Sequence, residues 1–274
     1  MTDPRLTPSN GRVADSGWED RVEAQDFVAG SWAAVISPLT DLRQSPEGPR
    51  ERQLLLGERF LVLEIRDGWA FGRADRDSYV GYVLARDLGE ESVATHLVSV
   101  RSSHLYPEAN IRSPEIAALS FGSRLTIIHE QRTFFETSGG VFVPKPHLRP
   151  IFHPFRDPVT VAQLFFGTPY LWGGNSAFGI DCSGLVQAAL LACGIACPGD
   201  SDLQAALGNT VPDDAPMVRG DLIFWRGHVA MVVDDQTLIH ANAHHMAVAY
   251  EPIKSAMARI EAQGGGAVSV RRRV

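Results

Sequence analysis

The chain has 274 residues, of which 45% are apolar and 21% are charged, and its formal net charge is −7. This length exceeds what one small core organises, so we expect more than one domain. The acidic balance excludes a broad basic surface for nucleic acid, and the arginine run at 271–273 is interpreted as a solvated end. The apolar runs fall short of a membrane span, which predicts no membrane partner.

The N-terminal residues are polar, and we interpret residues 1–29 as an extension that precedes the folded domains. Such a segment is either poorly ordered or laid over the surface of the domains that follow. The first ten residues have no apolar core of the length that a secretory signal needs, which predicts a cytoplasmic protein. The three cysteines, an odd number, argue against a disulfide framework.

A weak repeat follows, in which the stretch 53–64 is echoed by the stretch 117–128. Each reads as a strand, a glycine turn and a second strand, and short strands at close spacing indicate small barrels. The pieces at 57–58, 67–69 and 81–83 resemble those of bacterial SH3-like domains. We therefore predict two such domains at 30–92 and 93–150, although the second has Ser123 where the first has Glu58.

The segment 169–184 contains the most informative pattern, PYLWGG followed by DCSG. A glycine-rich turn leads into the apolar run 185–191, which has the spacing of a buried helix, so Cys182 is predicted to begin a helix. The unpaired N–H groups at a helix start favour the thiolate over the thiol, and the thiolate is the nucleophile. This predicts half of a cysteine hydrolase.

The other half would be an imidazole, and two histidines lie downstream in strand-like surroundings. The run 220–225 reads as a buried strand, His228 begins the next strand, and 237–241 supplies a third that carries His240. Adjacent antiparallel strands can set the two rings side by side. A nucleophile, a base and a group that fixes the base's tautomer are what the chemistry needs.

These pieces, together with GDSDLQ at 199–204 and HVAM at 228–231, resemble the NlpC/p60 family of cysteine peptidases, which cut bacterial cell-wall peptides. They occur in the family's order and cover roughly residues 155–255. The resemblance implies an α+β fold: a papain-like catalytic domain at 151–274, preceded by the two small SH3-like β-barrels.

The same resemblance implies the role of each residue. Cys182 would attack an amide carbonyl, His228 would take and return the proton, and His240 would orient His228. Tyr170 would help to shape the oxyanion and substrate site beside the thiol. Two further contacts with the peptide substrate are implied at Ser183 and Asp200.

A two-barrel arrangement of this kind resembles enzymes that recycle cell-wall fragments such as L-Ala-γ-D-Glu-diaminopimelate. In those relatives acidic and tyrosine side chains of the first barrel bind the free amino terminus of the peptide. Glu58 and Tyr79 are the candidates in this chain. A carboxylate facing a desolvated ammonium would reject substrates that lack the amine.

Other readings of single residues remain open. Cys193 and Cys197 lie at helical spacing and invite a redox or metal site, but a zinc site needs four ligands and no second pair has suitable spacing. His244 and His245 are interpreted as solvated loop residues. Trp172 and Trp225 are interpreted as core aromatics near the site, with lining of the substrate groove as the alternative.

Several functions remain open as well. The leading one is hydrolysis of the γ-D-glutamyl bond to diaminopimelate or lysine in murein peptides, through a thioester. The alternatives are a secreted murein hydrolase, an amidase or acyltransferase on another acyl group, and an inactive wall-peptide binding module. The chemistry is expected to need no metal or organic cofactor. Neither the choice between the two diamino acids nor the oligomeric state follows from the sequence.

Overall fold

A computed structural model describes residues 3–274, and the chain divides into a first unit that ends at His153 and a second unit from Pro154 to Val274. In the described part of the chain, strands outnumber helices. None of the helices in that part is both long and apolar enough to cross a membrane.

The first unit begins with the extension, which the structure lays over a sheet of the same unit. Val13 is buried against a cluster that includes Leu61 and Phe71, and Arg12 forms an ion pair with Glu64, with Nη2 2.6 Å from Oε2. Its two short strands pair in parallel: β1 (Val13–Asp15) and β2 (Asp26–Val28).

The main sheet of the first unit joins seven of the described strands in the order β5-β4-β8-β7-β6-β3-β9. Alternate side chains of these strands face a common core around Phe60 and Leu54, which are fully buried. The strands are β3 (Ser31–Val35), β4 (Leu39–Arg43), β5 (Arg50–Leu55), β6 (Arg59–Arg66), β7 (Trp69–Ala74), β8 (Val80–Leu84) and β9 (Leu88–Glu90).

Shorter strands follow within the first unit and surround a second core that includes Val98, Leu119 and Val143. They form the sheets β13-β10-β17, β11-β12 and β14-β15-β16. Their bounds are β10 (His96–Val98), β11 (Ser102–Leu105), β12 (Ala117–Ser120), β13 (Arg124–Leu125), β14 (Ile127–Glu130), β15 (Phe134–Thr137), β16 (Phe142–Pro144) and β17 (Leu148–Pro150). The strand, glycine turn and strand predicted at 53–64 and 117–128 are both confirmed.

The second unit contains a sheet with the order β20-β25-β21-β22-β23-β24 and a small sheet of β18 and β19, accompanied by helices. Helix α2 packs on β22 and β23, and α1 packs on α2. The helices are α1 (Pro158–Leu164), α2 (Cys182–Ala192), α3 (Ser201–Gln204) and α4 (Ile253–Ala262). The strands are β18 (Asn175–Ser176), β19 (Gly179–Ile180), β20 (Asn209–Thr210), β21 (Leu222–Trp225), β22 (His228–Val232), β23 (Thr237–Asn242), β24 (Ala247–Pro252) and β25 (Val270–Arg273).

The arginine run at 271–273 is not a solvated end, and that prediction is wrong. The run lies in β25, which pairs with both β20 and β21. Arg271 is buried and donates hydrogen bonds to the carbonyls of Pro212, Asp213 and Ala215. Arg273 forms an ion pair with the buried Asp221. Hydrogen bonds to these carbonyl oxygens accommodate the buried Arg271 guanidinium, whereas the Arg273 side chain remains 47% exposed.

Candidate active site

The helix that carries the predicted nucleophile begins where the sequence predicted. Asp181 is the N-cap of α2, and its Oδ1 accepts hydrogen bonds from the Gly184 N–H at 2.6 Å and the Ser183 hydroxyl at 2.9 Å. Its Oδ2 accepts from the Gly173 N–H at 3.0 Å. One buried carboxylate thus joins the glycine turn to the first turn of the helix, and Cys182 begins that helix at 7% exposure.

The turn and the helix approach each other closely because glycines occupy both sides. A Cβ placed on Gly184 would lie 2.4 Å from the Gly174 carbonyl oxygen, and one on Gly174 would lie 2.5 Å from the Gly179 oxygen. Larger residues would push the turn away from the helix start. The glycines of the PYLWGG and DCSG motifs therefore fix the position of Cys182.

Two aromatic residues, Tyr170 and Trp172, precede the glycines of that turn. The Tyr170 N–H donates to the carbonyl of Met246 at 2.9 Å, and Tyr170 forms a bridge with Ile180. Trp172 is 73% exposed, so its interpretation as a core aromatic is wrong, whereas Trp225 is buried as expected. The Trp172 indole is exposed because this turn contacts the start of the helix through its backbone.

The two predicted histidines are in direct contact. His228 begins β22, His240 lies on the neighbouring strand β23, and Nε2 of His228 is 2.9 Å from Nδ1 of His240. Both strands lie under α2, the helix that begins at Cys182. The strand assignments that predicted this pairing are confirmed.

Burial keeps both rings neutral. It lowers the pKa of His228 to about 4, and the positive charge of Arg259 lowers it further while Glu251 opposes the change. It lowers the pKa of His240 to about 3, with the same opposition from Glu251. At neutral pH each ring therefore has one N–H and one lone pair.

Two residues behind His240 were not found by sequence reasoning. Nε2 of His240 is 3.1 Å from Oε2 of Glu251, and Arg259 holds both oxygens of that carboxylate, from Nε at 2.9 Å and from Nη2 at 2.7 Å. The hydrogen bonds from Arg259 keep the pKa of Glu251 below its usual range. The sequence contained a signal for Glu251. The turn at His244 and His245 joins β23 and β24 in a hairpin, so β24 lies beside the strand that carries His240.

Tyr170 lies close enough to the helix start to interact with it electrostatically. Burial first, and then the negative charges of Cys182 and Asp181, raise the pKa of Tyr170 above its usual value. Its hydroxyl is therefore protonated at neutral pH and can donate a hydrogen bond. This places a potential donor near the predicted nucleophile.

The segment between α2 and the sheet is fixed by Gln204. Its Nε2 donates to the carbonyl of Ser183 at 2.9 Å and to that of Pro198 at 3.0 Å. Asp200 is the N-cap of the short α3 and is partly exposed, and Ser183 is buried with its hydroxyl on Asp181. The predicted GDSDLQ motif thus lies against the first turn of the nucleophile's helix.

The two residues predicted to bind a peptide amine lie in the interior of the first unit. Glu58 is 7% exposed, and its carboxylate accepts from Arg76 at 2.9 Å and from the Leu55 N–H at 3.0 Å. Tyr79 is 1% exposed, and its hydroxyl lies 3.5 Å from Oε2 of Glu51. Their part in amine binding stays a prediction.

Three side chains of the second unit have the donor atoms of a metal site. His240, His245 and Glu251 each place one such atom within 4.8 Å of the others. The Glu251 carboxylate already accepts two hydrogen bonds from Arg259, and a cation would have to displace that guanidinium. We therefore assign no metal to the cluster.

A helix that begins at a cysteine, with a contacting pair of neutral histidines on the strands beneath that helix, is the arrangement expected of a cysteine peptidase. A family model described as the NlpC/P60 family matches residues 167–262. A second model, described as the bacterial dipeptidyl-peptidase Sh3 domain, matches residues 42–88.

The chain is similar to curated proteins over most of its length. It is 30% identical over 217 residues to the gamma-D-glutamyl-L-lysine dipeptidyl-peptidase of Bacillus subtilis, which covers 70% of this chain and 72% of the relative. It is 27% identical over 237 residues to dipeptidyl-peptidase 6 of Lysinibacillus sphaericus, with 77% and 87% covered. The chain therefore belongs to the NlpC/P60 family.

A solved structure has the same fold. The crystal structure of an NlpC/P60 family protein from Bacillus cereus matches with a TM-score of 0.75 and 22% identity, over 89% of this chain and 99% of the other. The expected resemblance is confirmed: the protein is a cysteine peptidase whose catalytic domain has the NlpC/P60 fold and follows an SH3-like domain.

Proposed function

We propose that this peptidase hydrolyses the γ-D-glutamyl bond to a diamino acid in peptides derived from murein, with Cys182 as its nucleophile. The observation that carries the proposal is the contact between His228 and His240 beneath the helix that begins at Cys182. The name of the Bacillus subtilis relative supports this class of bond.

The first step forms a thioester. The Cys182 sulfur attacks the γ-carbonyl carbon, and His228 takes the thiol proton as the C–S bond forms. When the tetrahedral intermediate collapses, the C–N bond breaks and His228 returns the proton to the leaving amine of the diamino acid. Water then attacks the thioester with His228 as base, which releases the D-glutamyl product and restores the thiol.

The oxyanion of each tetrahedral intermediate needs donors. The protonated Tyr170 hydroxyl and a backbone N–H at the start of α2 are the groups we assign to it. Support comes from the burial of Tyr170 and from its electrostatic interaction with Cys182, which together raise the pKa of the tyrosine. A neutral phenol can donate to an oxyanion, whereas a phenolate would repel it.

We also propose which residues contact the substrate. Ser183 and Asp200 lie on segments tied together by Gln204, which supports their assignment to one substrate groove of the second unit. Glu58 and Tyr79 are proposed to recognise a free amino terminus. Their burial in the first unit means that such recognition would require Glu58 to be shared between Arg76 and the substrate.

The natural substrate is proposed to be a free-amine fragment, L-Ala-γ-D-Glu linked to diaminopimelate or lysine, as in cell-wall recycling in the cytoplasm. We also propose that residues 93–150 form a second SH3-like domain. The repeated strand, glycine turn and strand around Gly57 and Gly122 supports that division.

Product analysis by mass spectrometry tests the function. The full chain and Cys182→Ala are incubated with L-Ala-γ-D-Glu-diaminopimelate, with its lysine counterpart and with the N-acetylated form of each. Cys193→Ala is the matched control, because it removes a thiol just beyond the C-terminal end of the same helix. We expect release of L-Ala-D-Glu by the wild-type protein and by Cys193→Ala, with a loss of at least about 10³-fold in Cys182→Ala.

Each outcome decides one part of the proposal. Cleavage of the free-amine peptides alone supports recycling, and equal cleavage of the acetylated peptides would replace it with a broader murein hydrolase. Absence of cleavage in all four peptides would overturn the proposed bond and favour an amidase or an acyltransferase on another substrate.

A further inference from the structure

The contacts behind His228 continue past His240 to a carboxylate and a guanidinium. His228, His240, Glu251 and Arg259 form a row in which neighbouring groups are 2.9 Å, 3.1 Å and 2.7 Å apart. The first three lie on the consecutive strands β22, β23 and β24, and Arg259 lies on α4. Residues on regular elements hold their positions better than residues on loops.

The end of this row determines where its protons lie. Glu251 is ionised at neutral pH because the hydrogen bonds from Arg259 keep its pKa low. A carboxylate only accepts hydrogen bonds, so the nitrogen that faces it, Nε2 of His240, must carry a proton. His240 is fully buried and neutral, so its Nδ1 has the lone pair.

The same reasoning applies to the ring of His228. Nδ1 of His240, with its lone pair, faces Nε2 of His228 at 2.9 Å, so Nε2 of His228 must be the N–H donor. His228 is also neutral at neutral pH. Its remaining nitrogen, Nδ1, therefore has the lone pair and is the atom able to accept a proton.

We propose that Glu251, held by Arg259, is a positioning residue that sets the tautomers of both histidines and leaves Nδ1 of His228 as the basic nitrogen. The inference rests on the proposed function, in which His228 is the base for Cys182. Without an acceptor-only group at position 251, His240 can carry its proton on Nδ1 instead. Nε2 of His228 would then carry the lone pair that faces His240, and Nδ1 of His228 would carry the proton. His228 would have no lone pair left to accept a proton from the nucleophile.

A different role for the ion pair between Glu251 and Arg259 would be to hold α4 against β24. An ion pair of that kind contributes to stability but does not select a tautomer. The second unit contains a matched example, because Arg273 holds the buried Asp221 with Nε 2.7 Å from Oδ1, outside the row of histidines. Breaking that pair provides the control.

The experiment compares Glu251→Gln with Arg273→Gln in the full chain, with histidine rings labelled with ¹⁵N. Ring nitrogen shifts identify the tautomers, and the signals are assigned from His228→Gln and His240→Gln. In the wild-type protein we expect the Nε2–H form of both rings. In Glu251→Gln, whose amide N–H₂ can donate to Nε2 of His240, we expect the Nδ1–H form to appear in both rings.

Kinetics supply the second measurement. We expect kcat in Glu251→Gln to fall about 10- to 100-fold with KM changed less than about twofold, because the substrate still binds while the base is turned away. Arg273→Gln should keep both the tautomers and kcat. Arg259→Lys keeps the carboxylate and a cation, so it should retain the wild-type tautomers and lose less kcat than Glu251→Gln.

The results separate this inference from the proposed function. An Nδ1–H form of His240 in the wild-type protein would overturn the inference even if Glu251→Gln did not fold. Unchanged tautomers and kcat in a folded Glu251→Gln would also overturn it while hydrolysis by Cys182 stood. Absence of hydrolysis that depends on Cys182 would instead overturn the proposed function.

Discussion

Each unit contains a buried glutamate held by an arginine, and the two pairs differ in their third partner. Glu58 and Glu251 are 7% and 8% exposed, and each carboxylate accepts two hydrogen bonds from its arginine. The remaining partner of Glu58 is the Leu55 N–H, whereas Glu251 contacts the His240 ring. The first pair fixes a strand end, and the second fixes a protonation state. The third partner therefore decides what a buried ion pair contributes.

The largest effect expected from this comparison is on the stability of the first unit. Glu58→Gln leaves the buried Arg76 with Asp77, 3.4 Å away, as its carboxylate partner, and loss of the closer buried pair costs about 3 kcal/mol. Urea unfolding measures the loss, and hydrogen exchange at the Leu55 amide locates it. A fall below about 1 kcal/mol with unchanged exchange would show that Glu58 does not hold the end of β5.

A smaller loss of stability is expected for Glu251→Gln. Arg259 also donates to Gln263, the C-cap of α4, and its side chain is 17% exposed, so water and Gln263 can satisfy the guanidinium. We expect the free energy of unfolding to fall by about 2 kcal/mol, measured as above. A loss larger than that of Glu58→Gln would reverse the comparison between the two pairs.

The smallest effect is a dependence on pH that comes from the His240 ring. The unfolded ring binds a proton near its ordinary pKa of about 6.5, whereas the folded ring stays neutral until about pH 3. The unfolded state therefore binds more protons below pH 6.5, and stability falls as the pH falls. Between pH 6.5 and 5.5 the wild-type protein should lose roughly 1 kcal/mol more than His240→Gln. Equal losses would show that His240 is charged in the folded state.

Much of the site followed from local sequence. The glycine turn and the apolar run 185–191 predicted a helix start at Cys182, and the structure confirms it, with Asp181 as the N-cap. His228 and His240 followed from two short strands joined by a tight turn. These features depend on neighbours in the chain, which the sequence displays directly.

The parts that sequence reasoning missed depend on how the elements pack on one another and, for Arg271, on contacts between residues far apart in the chain. Arg259 reaches Glu251 because α4 returns onto β24, and the sequence does not display that return. Arg271 looked solvated because its carbonyl partners lie more than fifty residues earlier. Trp172 was interpreted as a core residue because indole rings bury a large apolar area. Its side chain is exposed because the turn contacts the helix through backbone groups.

The strand β25 also sets the order in which the catalytic domain can be completed. β21 acquires its neighbour β22 from residues a few positions away, but its other neighbour comes from residues 270–273. During synthesis the sheet that carries both histidines therefore keeps an open edge at β21 until residues 270–273 are available. The ribosome makes Cys182 and both histidines before it makes β25, so a nascent chain has its nucleophile before this sheet has all of its strands.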